Sequence, residues 1–271
     1  MTWQVLVRRE ATAHGVSEGL REGKIAHRVV MVDRDGIGPV AGDALDAGFR
    51  RLAVEGSDPE VAAVIAEVDA RRLGRLTDLA VIVTGGGSDL LRTFAADQSL
   101  DGAIERIIDH TPYLIDAGRI EGEFGEMVFV NSVAAGLLAH GPGWFPWWPV
   151  PIFPARPVCL RAGDADTEAV ASGALVLNGQ FWGSWVAAPR STLVDGVLDV
   201  QMFNGHRIAL SHLRHAMPTG MHVRSHHVRR RSLSEAEVAA PDSWAFSVDG
   251  IRVGRGAFRV TCLPGAVRLA I

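Results

Sequence analysis

The segment best suited to bind a ligand is a run of glycines that follows an apolar stretch. Leu79–Thr84 is continuously apolar, and Gly85-Gly86-Gly87-Ser88-Asp89 leads from it into a helical pattern. Glycines let the main chain approach a ligand closely, and the start of a helix directs N–H groups and a positive dipole end at an anion. Asp89 would orient a ribose hydroxyl or a metal, or would cap the helix. The pattern predicts a phosphate site, and a tight structural turn is the alternative.

A second loop of the same kind carries carboxylates. Glu55-Gly56-Ser57-Asp58-Pro59 lies between the apolar run Leu52–Val54 and the amphipathic helical pattern Glu60–Leu73. Ser57 or Asp58 suits the helix cap, and Pro59 suits the first turn. Carboxylates here repel phosphate unless a metal ion intervenes. Taken alone, the loop is interpreted as an ordinary capped helix start.

Two acidic segments in the second half of the chain offer further chemistry. In Asp195-Gly196-Val197-Leu198-Asp199, two aspartates and nearby carbonyl groups would hold magnesium or calcium, or would form a hairpin turn. Asp249 ends an apolar run and is followed by Gly250. It would serve as a general base, or it begins a turn.

Two regions with different patterns position these segments. Up to about Thr111, strand and helix patterns alternate, which predicts an α/β domain with a doubly wound parallel sheet. Beyond it, short apolar runs separated by turn residues predict an antiparallel β-rich domain. The predicted elements include strands at 3–7, 26–32, 52–54, 79–84, 114–120, 127–131, 158–162, 174–177, 198–203, 245–248, 258–262 and 267–271, and helices at 38–51, 60–73, 90–96 and 100–109.

Composition excludes several classes of protein. The chain has 271 residues, enough for two domains, and a net charge of −4, which gives no general attraction to nucleic acid. Two cysteines favour a reducing, cytoplasmic setting over a disulfide framework or a zinc site. No stretch approaches the length of a membrane span, and no signal peptide is recognised. Lys24 is the only lysine, so a G-K-[ST] phosphate loop is excluded.

The ordered set of segments resembles the bacterial diacylglycerol kinase and lipid kinase family. That family shows GGDGT, then GTGNDFAR, an iDlG strand, an N-G-x-x-x-G stretch with P-x-A-x-x-x-D-G-x-L-D, and finally DGE. The segments that match are, in chain order, Gly85–Arg92 for the second motif, Ile115–Gly118 for the third, Asn178-Gly179 through Gly183 with Pro189 and Asp195–Asp199 for the fourth, and Asp249-Gly250 for the last.

The resemblance implies an NAD-kinase-like α/β domain, residues 1–111 joined by the tail 263–271, and a β-sandwich domain, residues 112–262. It implies ATP in a cleft between them and transfer of the γ-phosphoryl group to a lipid hydroxyl. Asp249 would be the catalytic base, and Asp195 with the Val197 carbonyl would hold a structural magnesium. The implied nucleotide contacts are Gly56, Ser57, Asp58, Gly85, Gly86, Gly87, Ser88 and Asp89.

The departures from the family bear directly on catalysis. Glu55–Pro59 stands in place of GGDGT, and Ile251 replaces the acid of DGE. Arg8-Arg9 follows the first strand in place of an N-P dipeptide. Phosphoryl transfer depends on positioning and charge neutralisation. The sequence therefore leaves three hypotheses. The first is an ATP-dependent lipid kinase homologue, with full or impaired activity, and the second is a non-catalytic pseudokinase that binds lipid or nucleotide. The third keeps the fold but uses another phosphate donor or a nucleoside-like substrate.

A proline- and tryptophan-rich stretch is the candidate surface for a partner. Gly141–Pro157 contains Trp144, Trp147 and Trp148 among six prolines. Tryptophan favours the membrane–water interface, so the stretch would touch a membrane or an acyl chain. It would otherwise fill a gap between domains or within a homodimer. A cytoplasmic protein, with peripheral contact at the inner face of the membrane, is expected. The His- and Arg-rich segment 206–231 has no assigned role.

Overall fold

The computed structural model describes residues 1–144, 155–162, 165–204 and 213–271. The chain divides into two compact units. The first comprises Met1–Asp116 together with Pro264–Ile271, and the second comprises Ala117–Leu263. Within the described ranges, no helix has the length and apolar character that a membrane crossing requires.

The first unit is an α/β layer structure built on parallel strands. Its strands β1 to β4 are Trp3–Val7, His27–Met31, Arg51–Gly56 and Asp78–Val83. They are hydrogen-bonded in the order β2-β1-β3-β4, and the last strand of the chain, Phe258–Ala270, pairs in parallel with β4. Helices α1 to α5 are Glu10–Glu22, Ile37–Asp46, Asp58–Ala70, Asp89–Thr93 and Leu100–Asp109.

The side chains of β1 alternate between two helical layers. Trp3, Val5 and Val7 pack in one buried cluster with Val16 of α1 and Ile107 of α5. Because successive strand residues point to opposite faces, the intervening residues face the side on which α2 and α3 pack together. The predicted α/β class, with helices on both faces of the sheet, is confirmed.

Helix α1 was not predicted, because glycines interrupt its apolar pattern. Gly15, Gly19 and Gly23 face α5, where a Cβ atom on them would lie 2.9, 2.8 and 2.6 Å from side-chain atoms of the apolar residues at 100, 104 and 108. Glycine lowers helix propensity by about 1 kcal/mol relative to alanine. Here it allows the two helices to approach closely, a benefit that local propensity does not reveal.

The second unit is an antiparallel β-sandwich, as predicted. Its strands, with those it shares with the first unit, are β5 (Pro112–Gly122), β6 (Gly125–Phe129), β7 (Ser132–Gly136), β8 (Arg156–Ala162), β9 (Ala165–Ala171), β10 (Gly173–Leu177), β11 (Phe181–Trp182), β12 (Trp185–Val186), β13 (Leu198–Phe203), β14 (Val228–Leu233), β15 (Glu235–Ala239), β16 (Ala245–Val248), β17 (Ile251–Arg255) and β18 (Phe258–Ala270). One sheet has the order β14-β13-β10-β7-β16-β17, and the other contains β18-β15-β8-β9. Their inner faces share an apolar core that includes Phe129, Val200 and Phe246.

The final strand corrects one prediction. Phe258–Cys262 and Val267–Ile271 were expected as separate strands, whereas β18 runs without interruption from Phe258 to Ala270. Gly265 has a positive φ of 63°, and its N–H donates to the buried Asp116 carboxylate at 2.8 Å. The Asp116 carboxylate thus anchors the main chain of β18 at the position with a positive φ.

Candidate functional site

Glu55, the next-to-last residue of strand β3, is a fully buried carboxylate held by the start of α1. It accepts hydrogen bonds from the main-chain N–H groups of Arg8 and Arg9 at 2.6 and 3.2 Å. Arg9 Nε and Thr12 Oγ1 donate to it at 2.6 and 3.0 Å. Burial raises the pKa of Glu55, but the bonds from Arg8, Arg9 and Thr12 outweigh burial and hold that pKa below its usual value. The ionised carboxylate therefore complements the positive end of the α1 dipole.

Glu60 fills the same role for α3, the helix on which it lies. Ser57 is the N-cap, and a capping box joins the two residues. Ser57 donates to Glu60 through both its main-chain N–H and its hydroxyl group, each at 2.8 Å. The prediction of Ser57 or Asp58 as the cap is thereby resolved in favour of Ser57. Glu60 also pairs with Arg34 at 2.7 Å and with Arg8 at 3.6 Å.

Asp58 points to the start of α4 and not to solvent. Its carboxylate accepts from the Ser88 hydroxyl at 2.6 Å and from the Asp89 main-chain N–H at 3.1 Å. Ser88 in turn accepts from the Leu91 N–H at 3.1 Å. Burial raises the pKa of Asp58 to about 6, although the bonds from Ser88 and from the main chain of Leu90 and Asp89 oppose that rise.

The acidic loop Glu55–Pro59 and the first turn of α3 thus place one carboxylate at the start of each of three helices: Glu55 at α1, Glu60 at α3 and Asp58 at α4. N–H groups at a helix start are the donors that bind a phosphate elsewhere. The sequence predicted that the glycine-rich segment would present the N–H groups at the start of α4 to a ligand. The structure instead shows that Asp58 and Ser88 engage them, because a neighbouring loop of the same unit supplies the anion.

The glycine turn itself remains open. Gly85 and Gly87 have φ values of +91° and +90°, a left-handed conformation that favours glycine. Gly85 and Gly86 are exposed, and a Cβ atom on either would meet nothing within 4 Å. Gln98 fixes the end of the turn, since it accepts from the Ser88 N–H at 2.9 Å and donates to the Ser88 carbonyl at 3.0 Å. Asp89 pairs with Arg92 at 2.5 Å.

A polar cleft of about 370 Å³ lies beside this turn, where β1 to β4 end. This is the edge at which open α/β sheets bind ligands. Of its charged residues, the sequence pointed to Arg8, Arg9 and Glu55, whereas Arg34 was missed because nothing local distinguishes it from a solvated arginine. The lining consists of Arg8, Arg9, Val32, Asp33, Arg34, Glu55, Thr84 and Gly85.

Asp249 occupies a turn between β16 and β17 and binds main-chain donors. Its carboxylate accepts from the N–H groups of Val130, Asn131 and Ser132 at 2.8, 3.0 and 2.8 Å. Its own N–H donates to the Ser132 carbonyl at 2.8 Å, and its φ is +46°. Asp249 therefore ties the β16–β17 turn to the connection between β6 and β7. Its role as a base stays a prediction.

The predicted magnesium position, Asp195 with the Val197 carbonyl, lies in a turn. Asp195 is exposed, and its carboxylate accepts the Val197 N–H at 3.2 Å, which closes a turn. Asp199 is buried and pairs with Arg230 at 2.7 Å. Among the described residues, no group of three or more His, Cys, Asp or Glu side chains is arranged to hold a metal. A magnesium ion held by side chains alone does not fit these residues, and the role of Asp195 with the Val197 carbonyl stays a prediction.

The tryptophan-rich stretch falls largely outside the described residues. Trp147 and Trp148 lie in the range that is not described. For Trp144 only the backbone, in the short 3₁₀ turn Pro142–Trp144, is described.

Comparison with known proteins gives a match in the C-terminal part of the chain. Residues 150–271 match the model of the YegS C-terminal NAD kinase beta sandwich-like domain. The similarity to the diacylglycerol kinase and bacterial lipid kinase family, indicated by the ordered motifs, is confirmed by this match and by the relatives below.

Relatives extend the similarity over the whole chain. A protein of Stenotrophomonas maltophilia (strain K279a) named "Probable lipid kinase YegS-like" is 26% identical, over 96% of this chain and 90% of that protein. A diacylglycerol kinase from Bacillus anthracis str. Sterne has the same fold, with a TM-score of 0.78, 14% identity, and coverage of 99% and 96% of the two chains. An NAD kinase from Archaeoglobus fulgidus, in complex with ATP, has a TM-score of 0.55, 12% identity, and coverage of 100% and 94%.

Proposed function

We propose that this protein is an ATP-dependent lipid kinase that transfers the γ-phosphoryl group to the hydroxyl group of diacylglycerol or a related lipid. The observation that carries the proposal is the exposed Gly85–Gly87 turn at the carboxyl edge of the parallel sheet. Main chain without side chains allows a phosphate to approach there. The motif order and the lipid kinase name of the Stenotrophomonas relative support the same activity.

Asp249 is the candidate base in this proposal. Three main-chain N–H groups donate to the Asp249 carboxylate, and a general base must be held within reach of the proton that it removes. The same bonds fix the position of the carboxylate. The chemistry assigned to this residue is removal of the proton from the lipid hydroxyl group as the new oxygen–phosphorus bond forms. A magnesium ion, where the reaction uses one, would neutralise the phosphate charge.

A second candidate function is that of a non-catalytic protein that binds lipid or nucleotide. It is favoured by the carboxylates of Glu55 and Asp58, which take the helix-start positions that a phosphate would otherwise use. A carboxylate at such a position both removes donors and repels the ligand. Catalysis would then be lost while the fold is kept.

A phosphoryl-transfer assay separates the two candidates. Labelled ATP, magnesium and dioctanoylglycerol in mixed micelles should give labelled lipid, and Asp249→Asn should lower the rate by about 10²-fold or more, as for loss of a general base. Asp242→Asn is the matched control, because Asp242 is exposed and belongs to none of the proposed contacts. Absence of labelled lipid from wild-type protein that binds ATP would refute the kinase and favour the non-catalytic protein.

Contact with a membrane stays a prediction that rests on Trp144, Trp147 and Trp148. Liposome co-sedimentation of wild type and of the variant Trp147→Ser with Trp148→Ser tests it. Equal binding of the two proteins would remove the membrane role, and with it the expected peripheral localisation.

A further inference from the structure

Three arginines line the cleft at the carboxyl edge of the first unit, and each is held by a buried carboxylate. Arg9 pairs with Glu55 through Nε at 2.6 Å, and Arg34 pairs with Glu60 through Nε at 2.7 Å. Arg8 lies 3.6 Å from Glu60. The two carboxylate side chains are 0% and 3% exposed, whereas the arginines at 8, 9 and 34 are 36%, 60% and 53% exposed.

Each buried carboxylate orients an arginine but contacts only part of its guanidinium group. Burial raises the pKa of Glu60, but bonds from Ser57 and the charge of Arg34 outweigh it and keep the pKa below its usual value. Glu60 is therefore ionised, as Glu55 is. A guanidinium group has five N–H donors in a fixed plane, and one carboxylate contact leaves others to face a ligand. Such preorganised groups lose less freedom on binding.

We propose that Arg8, Arg9 and Arg34 form a site for a phosphate group carried by a nucleotide or a lipid, and that it binds this group without a divalent cation. Guanidinium groups bind phosphate through paired charge-assisted hydrogen bonds. They supply positive charge where the acidic loop would otherwise require a metal. The inference deepens the proposed function and rests on it for the identity of the ligand, since it names the residues that hold the donor phosphates or the phosphorylated product.

Two carboxylates, Asp33 and Glu55, line the cleft, and the exposed one at Asp33 gives the inference a test of opposite sign. Asp33 is exposed and lies at the cleft beside Arg34. Its charge repels a phosphate through water. Removal of this carboxylate should therefore tighten binding, whereas removal of a cleft arginine should weaken it. A protein that binds phosphate elsewhere would show neither effect.

Calorimetric titration in EDTA supplies the measurement. Pyrophosphate, ATP, adenosine and dihexanoyl phosphatidic acid are the probes, and the variants are Arg34→Gln, Arg8→Gln and Asp33→Asn. The control is Arg28→Gln, which removes one exposed arginine of β2 outside the cleft. Loss of a charge-assisted contact should raise the Kd for pyrophosphate about tenfold in Arg34→Gln and Arg8→Gln. Asp33→Asn should lower it by about threefold, and Arg28→Gln should leave it unchanged.

The probes also identify the ligand. Binding of ATP with no binding of adenosine assigns the site to a nucleotide phosphate, and binding of phosphatidic acid alone assigns it to a lipid phosphate. The inference would be overturned if pyrophosphate, ATP and phosphatidic acid all fail to bind at millimolar concentration, or if they bind only with magnesium. An equal loss of affinity for pyrophosphate in Arg34→Gln and Arg28→Gln would also overturn it. Melting temperatures show whether each variant is folded.

Failure of the inference is distinguishable from failure of the kinase. Phosphate binding without labelled lipid product would retain this site and reject the lipid kinase. Lipid phosphorylation with both the ATP KM and the Kd for phosphatidic acid unchanged in Arg34→Gln and Arg8→Gln would retain the kinase and reject the arginine site.

Discussion

Replacement of Asp58 by asparagine should remove a pH dependence that the structure builds into the first unit. An aspartate carboxyl group has an ordinary pKa of 3.8, and burial raises the pKa of Asp58 in the folded protein to about 6. A group with a raised folded pKa stabilises the fold below its unfolded pKa, and this contribution is lost as the pH rises through the folded value. Each tenfold change in proton affinity is worth about 1.4 kcal/mol. The difference between the unfolded and folded pKa values of Asp58 therefore contributes about 3 kcal/mol to the free energy of unfolding at low pH. About 2 kcal/mol of this contribution is gained between pH 7 and pH 4.5.

Asparagine keeps the shape of the side chain and an oxygen that can accept from Ser88 or from the Asp89 N–H, but it does not titrate in this range. The other carboxylates, including Glu55 and Glu60 with their lowered pKa values, are common to both proteins and cancel in the difference. The wild type should therefore gain about 2 kcal/mol relative to Asp58→Asn on acidification.

Urea unfolding of both proteins at pH 7 and pH 4.5, followed by circular dichroism, measures this difference. A difference that does not change with pH would refute the buried, raised-pKa description of Asp58. A change of opposite sign would mean that the helix-start N–H groups outweigh burial and lower the pKa of this carboxyl group.

Three further predictions concern folding. Glu55→Gln should lower the free energy of unfolding, measured in urea, by about 2–4 kcal/mol, because one amide oxygen replaces a carboxylate that accepts four hydrogen bonds. A decrease below about 0.5 kcal/mol would contradict this. Gly19→Ala should lower the free energy of unfolding by about 1–3 kcal/mol, because the new Cβ would lie 2.8 Å from Ile104. The control Gly36→Ala, at an open position, should change it by no more than about 1 kcal/mol. Equal melting temperatures for the two variants would contradict this prediction. Asp249→Asn should lower stability by about 2 kcal/mol through its main-chain contacts, whatever its effect on catalysis, and an unchanged urea midpoint would exclude the anchoring role.

Periodic patterns predicted much of the fold because burial dictates them locally. Trp3–Val7, Leu100–Asp109 and Leu198–Phe203 begin and end where the apolar patterns predicted. Helix α1 was missed because three of its positions serve contact with α5, and a glycine that permits close packing resembles a helix breaker in sequence. Strands β14 and β15 were missed for another reason. Arginine and glutamate occupy many of their exposed positions, so the apolar alternation is weak.

The candidate site was predictable as a location but not as a set of contacts. A glycine turn at the end of a parallel strand pointed to the correct edge of the sheet, and the excess of carboxylates in the Glu55–Pro59 loop was evident from the sequence. That Asp58 would bind the start of α4, 31 residues away, and that Glu55 would bind the start of α1, depended on tertiary placement. No local pattern carries such information, since capping rules describe a helix and its own neighbouring residues.

Strand β18 has a consequence for biosynthesis. Its Arg268 and Leu269 complete the sheet beside Asp78 and Leu79 of β4, so the strand that covers this flank of the first unit leaves the ribosome only after the whole second unit has been made. Domains usually fold in the order of their synthesis. Here one edge of β4 stays unpaired until β18 has been synthesised. During that interval the nascent chain is most exposed to chaperones or to aggregation.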